Sequence, residues 1–247
     1  MARRGHRPNQ APANRPRFWG RHAVLAALAN PERTVRKLWG TREALASLDL
    51  PPVLPITYAD AADLGRLVPP DAPHQGLVAE VEPLEELWLG DLLERKSEAK
   101  RPILVLDQVT DPHNVGAILR SAAAFDALGI VTQDRHAPPE SGVVARAASG
   151  ALELVPWVRV VNLARALDEI ADADFWRIGL TGNTETTLAA ALGSPHVALV
   201  LGAEGEGMRH NTEAHCDVLA RLPISPRIES LNVSNAAAIA LYAATQG

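Results

Sequence analysis

The sequence predicts an α/β fold built around a parallel sheet with helices on both faces. From residue 102 onward, short apolar runs alternate with helical patterns, which is typical of parallel sheets. The clearest predicted strand is Val197–Leu201, and a second apolar run spans Ile103–Leu106. Polar or glycine-rich loops follow these strands, and ligands of such sheets bind at the carboxyl ends of the strands.

The chain divides into an arm, a small unit, a linker and a large unit. Residues 1–17 are polar and arginine-rich, and they predict a flexible arm. Residues 18–82 predict a small α/β domain. Residues 83–101 combine leucines with many charged side chains, which predicts an amphipathic or solvated linker. The large parallel-sheet domain is predicted at 102–247.

Hydrophobic periodicity predicts the individual elements of both units. In the small unit we predict helices at 21–29, 41–47 and 59–67 and strands at 35–38 and 76–81. In the large unit we predict strands at 103–106, 129–132, 177–180, 197–201 and 219–224. The predicted helices of the large unit span 114–125, 143–149, 163–172 and 232–244. The last helix is apolar on nearly every face, so we expect it to be buried against its own domain or a second subunit.

Composition excludes several classes of protein. The 247 residues are 47% hydrophobic and 21% charged, as in globular proteins rather than disordered chains. The single cysteine, Cys216, excludes a disulfide scaffold, and no apolar run reaches the roughly 18 residues of a membrane span. The histidine spacing predicts no metal site. No targeting signal is recognisable, so we expect a cytoplasmic protein.

Charge is distributed unevenly, with a basic start on an acidic body. The net charge is −5, but residues 1–31 contain six arginines and no acidic residue. The remainder carries 18 basic and 29 acidic residues. This asymmetry suits a polyanion partner, although a solvated tail that only aids solubility fits it equally well.

The first polar loop leads from a predicted strand into a helix. Asp111 is a good N-cap, and Pro112 suits the first helical turn. Asn114 and Arg120 are the candidate functional side chains, because Arg120 has small and apolar neighbours that leave room for a ligand. The alternative is a surface arginine paired with an acid such as Asp126.

The second loop, residues 201–208, contains three glycines and two glutamates after a buried-type strand. Its GxxGxG spacing matches neither a dinucleotide-binding fold nor a P-loop, and the two carboxylates disfavour a triphosphate. A cationic ligand, or one whose hydroxyl groups need acceptors, fits Glu204 and Glu206 better. The alternative is an ordinary turn in which Glu206 only pairs with an arginine such as Arg209.

The third loop is polar and precedes the C-terminal helix. Ser230 can cap this helix, which we expect to begin near Asn232. Together, the three segments at 107–120, 201–208 and 230–234 resemble the signature motifs of the SpoU branch of the SPOUT RNA methyltransferases. Smaller matches extend the resemblance over about residues 18–245.

This resemblance implies more than the residue patterns show by themselves. It implies a trefoil knot in the large domain and a small N-terminal domain that binds the RNA substrate. It also implies an obligate homodimer that uses S-adenosylmethionine as the methyl donor. The reaction would transfer a methyl group to a ribose 2′-hydroxyl of RNA.

The resemblance also assigns site residues by their positions in the motifs. The catalytic residues would be Asn114, Arg120, Glu204, Ser230 and Asn232. The cofactor would be bound by Thr181, Gly182, Leu201, Gly202, Leu222, Ile224 and Leu231. Family accounts make the arginine a general base, but a guanidinium is effectively always charged. We therefore expect Arg120 to stabilise the developing alkoxide while Asn114, Ser230 and Asn232 orient the ribose.

The RNA substrate is also inferred from the resemblance. We expect a guanosine of the large-subunit (23S) rRNA, and a transfer RNA methyltransferase of the same family is the alternative. A non-catalytic RNA-binding relative is a second alternative, although all five polar motif residues are present. Cys216 has His215 beside it only in sequence, so we do not expect it to act as a nucleophile.

Overall fold

The computed structural model describes residues 15–246, which form two sheets. Most of the arm predicted at 1–17 lies outside the described residues. A four-stranded sheet is formed by the first third of the chain, and a six-stranded sheet by the rest. Across residues 15–246, no helix is long and apolar enough to cross a membrane.

The small unit is a mixed four-stranded sheet with three helices. Its strands are β1 (Arg17–Trp19), β2 (Val35–Gly40), β3 (Ile56–Tyr58) and β4 (Leu77–Val81), in the order β1-β4-β2-β3. Only β2 and β3 pair in parallel. Its helices are α1 (Arg21–Ala29), α2 (Arg42–Ala46) and α3 (Ala61–Gly65). The predicted elements are confirmed with small changes of bounds. Two strands are additional: β1, which begins at the last residue of the predicted arm, and β3, which directly follows the proline-rich stretch.

The predicted linker contains a helix that packs on the large sheet. Residues Leu89–Leu93 form α4, and Leu89 and Leu92 are buried in the core of the large unit. Of the two alternatives for residues 83–101, the structure supports an amphipathic segment at α4. Its leucines bury apolar surface that a solvated linker would expose.

The large unit is a six-stranded parallel sheet, as the alternation of apolar runs and helical patterns predicts. Its strands are β5 (Ile103–Leu106), β6 (Gly129–Gln133), β7 (Trp157–Val160), β8 (Trp176–Leu180), β9 (Val197–Leu201) and β10 (Val218–Ala220). The order β10-β8-β9-β5-β6-β7 contains only parallel pairs. The prediction lacks β7, in which Arg159 interrupts the apolar pattern. The predicted strand at 219–224 is too long, because Leu222 and Ile224 lie in the following loop.

Helices cover both faces of the large sheet. They are α5 (Pro112–Ala124), α6 (Gly142–Ala148), α7 (Leu163–Asp172), α8 (Leu188–Ala191), α9 (His210–Glu213) and α10 (Val233–Gln246). One face of the sheet packs against α5, α6 and α10, and the other packs against α4 and α7. The sequence predicts neither of the two short helices, α8 and α9.

A buried arginine joins the small unit to the large unit. Arg33 lies between α1 and β2, and its side chain has no exposed surface. Its guanidinium binds Glu140 and Glu153 of the large unit and the backbone oxygen of Glu82, and it lies over the Phe18 ring. Burial raises the pKa of Glu140, although the charge of Arg33 counteracts this shift. The position of the small unit on the large one therefore depends on a buried ionic contact.

The C-terminal helix α10 is less buried than its composition predicts. One face packs in the core through Val233, Ala237, Ala240 and Leu241. On the other face, Ile239 and Tyr242 are 47% and 56% exposed, and the Tyr242 ring contacts Phe125 edge-on. Burial against its own domain is therefore confirmed for one face, and burial of the exposed face against a second subunit stays a prediction.

Candidate active site

Several loops meet at the carboxyl edge of the large sheet. The loop after β5 leads into α5, the loop after β9 contains the three glycines, and the loop after β10 leads into α10. Strand β9 lies between β5 and β8, and β10 pairs with β8, so neighbouring strands carry these loops. Because the carboxyl ends of parallel strands share one edge, residues from distant parts of the chain come together there.

Asn114, Glu204 and Asn232 form a hydrogen-bonded cluster at this edge. The side-chain amide of Asn114 donates to Glu204 Oε1 at 3.0 Å, and the Asn232 amide donates to the same oxygen. The Asn232 amide also donates to Asn114 Oδ1 at 2.9 Å. The backbone N–H of Val233 donates to Glu204 Oε1 at 3.3 Å. One carboxylate therefore orients two amide side chains that lie 118 positions apart in sequence.

Asn232, and not Ser230, caps α10. The side-chain oxygen of Asn232 accepts hydrogen bonds from the Ser234 N–H at 2.9 Å and from the Ser234 hydroxyl. Ser230 is exposed and makes no hydrogen bond with the described part of the chain. The expected capping by Ser230 is therefore wrong, and its hydroxyl is available to a ligand.

Arg120 forms no side-chain hydrogen bond with the cluster of Asn114, Glu204 and Asn232. It follows Asn114 by six residues on α5, which is about 9 Å along the helix axis, and it is exposed. It has no hydrogen-bond or ion-pair partner among residues 15–246. Asp126, the alternative partner, pairs with Arg101 at 3.0 Å instead. The interpretation of Arg120 as a paired surface residue is therefore wrong, and its charge is available to an anionic group.

A second arginine is held beneath the loops by a buried acid. Asp107, which is fully buried, accepts hydrogen bonds from the Arg209 backbone N–H at 2.9 Å and from Arg209 Nε at 2.8 Å. Gln133 binds the same guanidinium at 2.8 Å. This network ties the end of β5 to the end of the loop that carries Glu204. The sequence analysis did not identify Asp107 and Gln133 as partners of Arg209 and offered Glu206 instead. The position of Asp107, an acid directly after an apolar strand, could have indicated its role.

The loop after β9 folds back on itself as a tight turn. Ala203 and Gly207 exchange backbone hydrogen bonds of 3.1 and 3.0 Å, so Glu204 lies within the turn between them. A Cβ on Gly202 would lie 2.0 Å from the backbone carbon of Gly207, so a side chain does not fit there. The loop is thus a turn, as the alternative interpretation held, but its Glu204 carboxylate also organises the cluster.

The residues expected to bind a cofactor lie along the same edge. They are Thr181 and Gly182 after β8, Leu201 and Gly202 at the end of β9, and Leu222, Ile224 and Leu231 after β10. Ile224 is 37% exposed, and the space around Gly182 is open. The Nε of Arg221 is buried without a hydrogen-bond partner in the described chain. This edge therefore suits a ligand that combines an apolar ring system with hydrogen-bond acceptors.

Cys216 lacks the features of a nucleophile. Burial raises the pKa of its thiol to about 12, so the thiol is protonated at neutral pH. The thiol donates to the Thr212 carbonyl oxygen at 3.4 Å, while the His215 ring contacts the Asn211 carbonyl oxygen. Among the described residues, no group of three His, Cys, Asp or Glu side chains is arranged to hold a metal ion.

Two family descriptions match consecutive parts of the chain. Residues 101–242 match the SpoU rRNA Methylase family, which accounts for more than half of the chain. The chain belongs to this family. Residues 18–87 match a second description, RNA 2′-O ribose methyltransferase substrate binding. The family inferred from the three motifs is therefore confirmed.

Individual SpoU relatives match along most of the chain. The chain is 37% identical over 240 residues to the 23S rRNA (guanosine-2′-O-)-methyltransferase RlmB of Pseudomonas putida, covering 93% of this chain and 96% of that protein. It is 40% identical over 234 residues to an uncharacterized tRNA/rRNA methyltransferase of Synechocystis sp.. That match covers 91% of this chain and 61% of the length of the Synechocystis relative.

Solved structures share the fold of this SpoU methylase. The SpoU methyltransferase AviRb from Streptomyces viridochromogenes matches with a TM-score of 0.76 and 23% identity, over 95% of this chain and 90% of that chain. A structure described as an RNA 2′-O ribose methyltransferase matches with a TM-score of 0.76 and 25% identity, over 93% of this chain and 87% of that chain. The predicted SPOUT-type α/β fold is thereby confirmed.

Proposed function

We propose that this SpoU methylase transfers a methyl group from S-adenosylmethionine to the ribose 2′-hydroxyl of a guanosine in 23S rRNA. The similarity to RlmB of P. putida, over 93% of the chain, supports this substrate and reaction. The observation that carries the proposal is the cluster of Asn114, Glu204 and Asn232, together with Arg120 on the same helix as Asn114, whose side chain has no partner among residues 15–246. Oriented amides can hold a ribose, and a free guanidinium can stabilise an oxyanion.

The roles of the side chains follow from their partners. When bound, S-adenosylmethionine supplies an electrophilic methyl group on a sulfonium centre. Asn114 and Asn232, held by Glu204, and the free hydroxyl of Ser230 orient the ribose in line with that methyl group. Arg120 carries a guanidinium, a fork of N–H donors that has no acceptor site for a proton. It therefore stabilises the developing charge on the 2′-oxygen, whose proton passes to solvent water while the oxygen forms its bond to the methyl group and the donor sulfur keeps the electron pair of the broken bond.

We place the cofactor against the loops that follow β8, β9 and β10. Leu222 and Ile224 offer apolar surface to an adenine, and Gly182 leaves room. Arg221 Nε is a buried donor that has no hydrogen-bond partner in the part of the chain that the structure describes. The remaining residues of the proposed cradle are Thr181, Leu201, Gly202 and Leu231. AviRb in complex with the cofactor AdoMet shares the fold of this chain, with a TM-score of 0.77 at 22% identity. The placement of the cofactor therefore rests on the residues of this chain that line these loops.

We propose that the active form is a homodimer with α10 at its interface. Ile239 and Tyr242 expose apolar surface on α10, and Phe125 extends this surface towards the end of α5. This surface adjoins the C-terminal end of α5, the helix that also carries Arg120. Tyr242→Asp is expected to give monomers in sedimentation equilibrium, and an unchanged dimer would contradict this interface.

Two further properties belong to the same proposal. A trefoil knot in the large unit is supported by the return of the chain: α10, the last element, packs against α5 and β9 in the middle of the fold. A cytoplasmic location is supported by the proposed ribosomal substrate.

Labelled methyl transfer tests the proposed function. Tritiated S-adenosylmethionine is incubated with the protein and unmodified 23S rRNA and, separately, with transfer RNA. We expect label in the 23S rRNA that maps to one ribose 2′-oxygen. Label only in transfer RNA would contradict the proposed substrate and support the alternative. If neither RNA is labelled and calorimetry detects no S-adenosylmethionine binding, the protein is not a methyltransferase.

A further inference from the structure

One apolar core continues from the small unit into the large unit. The same buried cluster contains Phe18 of β1 and Val144 of α6. Val143, also in α6, packs against the buried Trp19 of β1. Domains of one chain usually move against each other unless the interface between them is large and apolar. The continuous core and the buried ion pairs of Arg33 therefore hold the two units together as one body.

Helix α6 meets the small unit without space for a side chain. The first residue of α6 is Gly142, and a Cβ there would lie 2.1 Å from the backbone oxygen of Arg17 and 2.0 Å from the Trp19 ring. Both residues belong to β1, so this strand crosses the start of α6 at backbone distance. Just beyond the other end of α6, a Cβ on Gly150 would lie 3.1 Å from the Cβ of Ala26 in α1. The small unit therefore contacts α6 at its start and directly after its end.

Helix α6 packs just as closely against α5, the helix that carries two candidate catalytic residues. A Cβ on Gly116 of α5 would lie 2.4 Å from the Cβ of Ala147 and 2.8 Å from the backbone oxygen of Val144. Gly116 follows Asn114 by two residues and precedes Arg120 by four. The closest approach of the two helices therefore falls between the two candidate catalytic residues, and α6 lies in direct contact with both α5 and the small unit.

We propose that α6 is a rigid spacer that sets the distance and the orientation between the small unit and the catalytic residues of α5. Gly142 and Gly116 are then positioning residues. Both are buried, and they fix where an RNA held by the small unit meets Asn114 and Arg120. A misplacement of about 1 Å can lower the rate of a reaction about 100-fold, so these backbone contacts matter for the chemical step. The inference rests on the proposed function and on the match of residues 18–87 to a substrate-binding description.

The variant Gly142→Ala tests the spacer. The added Cβ meets the backbone oxygen of Arg17, which cannot rotate away as a side chain can. Because non-bonded atoms pack at about 3.5 Å, β1 and α6 must move apart by about 1 Å. We expect the single-turnover rate of methyl transfer, at saturating 23S rRNA transcript and S-adenosylmethionine, to fall about 10- to 100-fold. The Kd values for the transcript and for S-adenosylmethionine should stay unchanged, because neither binding surface is altered.

Two controls separate a displaced small unit from other effects of substitution. Gly90→Ala adds the same Cβ in α4, where nothing lies within 4 Å of it, and it should keep the normal rate. Arg33→Lys weakens the ionic contact between the units without inserting an atom between β1 and α6. It should lower the melting temperature and keep a near-normal rate while folded, which shows that lost stability alone does not slow methyl transfer.

The contact between α6 and α5 supplies a second variant, which keeps the inference testable if Gly142→Ala does not fold. Gly116→Ala should slow methyl transfer in the same way, and Ala147→Gly removes the atom nearest to the added Cβ. The double variant Gly116→Ala/Ala147→Gly should therefore recover part of the rate. A normal rate in the folded Gly142→Ala and Gly116→Ala variants would overturn the inference and leave the proposed function intact. If the unchanged chain methylates no RNA, the proposed function is contradicted instead.

Discussion

Two arginines of this protein have opposite environments. Arg33 lies between the two units, and Arg120 lies on the helix that begins at the carboxyl edge of the large sheet. Arg33 is fully buried and binds Glu140 and Glu153. Arg120 is exposed and has no partner among residues 15–246. A buried charge must be paired because its desolvation is costly, whereas an exposed charge can stay free for a ligand.

The carboxylates of the two regions differ in the same way. Glu153 is nearly fully buried and binds Arg33 and Asn30 of the small unit, so its hydrogen bonds hold the units together. Glu204 is exposed, and its side-chain partners are the exposed Asn232 and the half-buried Asn114. Polar groups that hold the fold together are therefore buried and paired with other buried groups. Polar groups that can act on a substrate are exposed.

The largest effect on stability is expected at the buried contact. Arg33→Met leaves Glu140 and Glu153 buried without a cation, so we expect the free energy of unfolding to fall by about 3–5 kcal/mol. Chemical denaturation measures this change. Arg36→Met is the matched control, because Arg36 pairs with Glu82 at a half-exposed position, and it should cost less than about 1 kcal/mol. Equal losses in the two variants would show that burial does not distinguish them.

A smaller effect, on rate instead of stability, is expected at the exposed carboxylate. Glu204→Gln replaces the charged acceptor of the Asn114 and Asn232 amides by a neutral group of similar size, which weakens their orientation. We expect kcat for methyl transfer to fall about 10- to 100-fold with little change in the melting temperature. Glu206→Gln, in the same loop and without a partner among the described residues, should keep normal kcat. A comparable loss of kcat in both variants would point to charge alone.

The smallest effect is expected in the pH dependence of stability. Burial raises the pKa of Glu140 in the folded state above its usual value near 4.5. Above that value the unfolded chain loses this proton first, so the contribution of Glu140 to stability falls as pH rises through the folded pKa. Thermal unfolding from about pH 4 to about pH 7 should therefore show a shallower loss of stability in Glu140→Gln. Parallel profiles for the two proteins would contradict the assigned pKa direction.

Local sequence patterns were sufficient to predict most of the fold. Four-residue and five-residue apolar runs predict β5 and β9 with the bounds that the structure has. Strands with mixed patterns were harder: β7 contains Arg159, and β3 directly follows a proline-rich stretch. Both strands lie at the edge of their sheet. An edge strand needs less apolar surface, so its hydrophobic pattern resembles that of a loop.

Long-range polar contacts limited what could be predicted of the site. The parallel topology explains why Asn114, Glu204 and Asn232 meet, since each lies in a loop or at a helix start beyond a strand end. Nothing local identifies Glu140 as the partner of Arg33, 107 positions away, or Asp107 as the partner of Arg209, 102 positions away. Such pairs depend on how whole elements pack, which sequence periodicity does not encode.

The central claim is that Arg33 stabilises the fold whereas Arg120 acts on the substrate. The most direct test is the single-turnover rate of methyl transfer by Arg120→Lys at saturating RNA and S-adenosylmethionine. Lysine keeps the charge but loses the fixed fork of donors, so we predict a rate about 100- to 1000-fold lower with RNA affinity and melting temperature unchanged. Arg33→Lys, measured beside it, should lower the melting temperature and keep a near-normal rate while folded. A normal rate in Arg120→Lys would contradict the role of the free guanidinium at the 2′-oxygen.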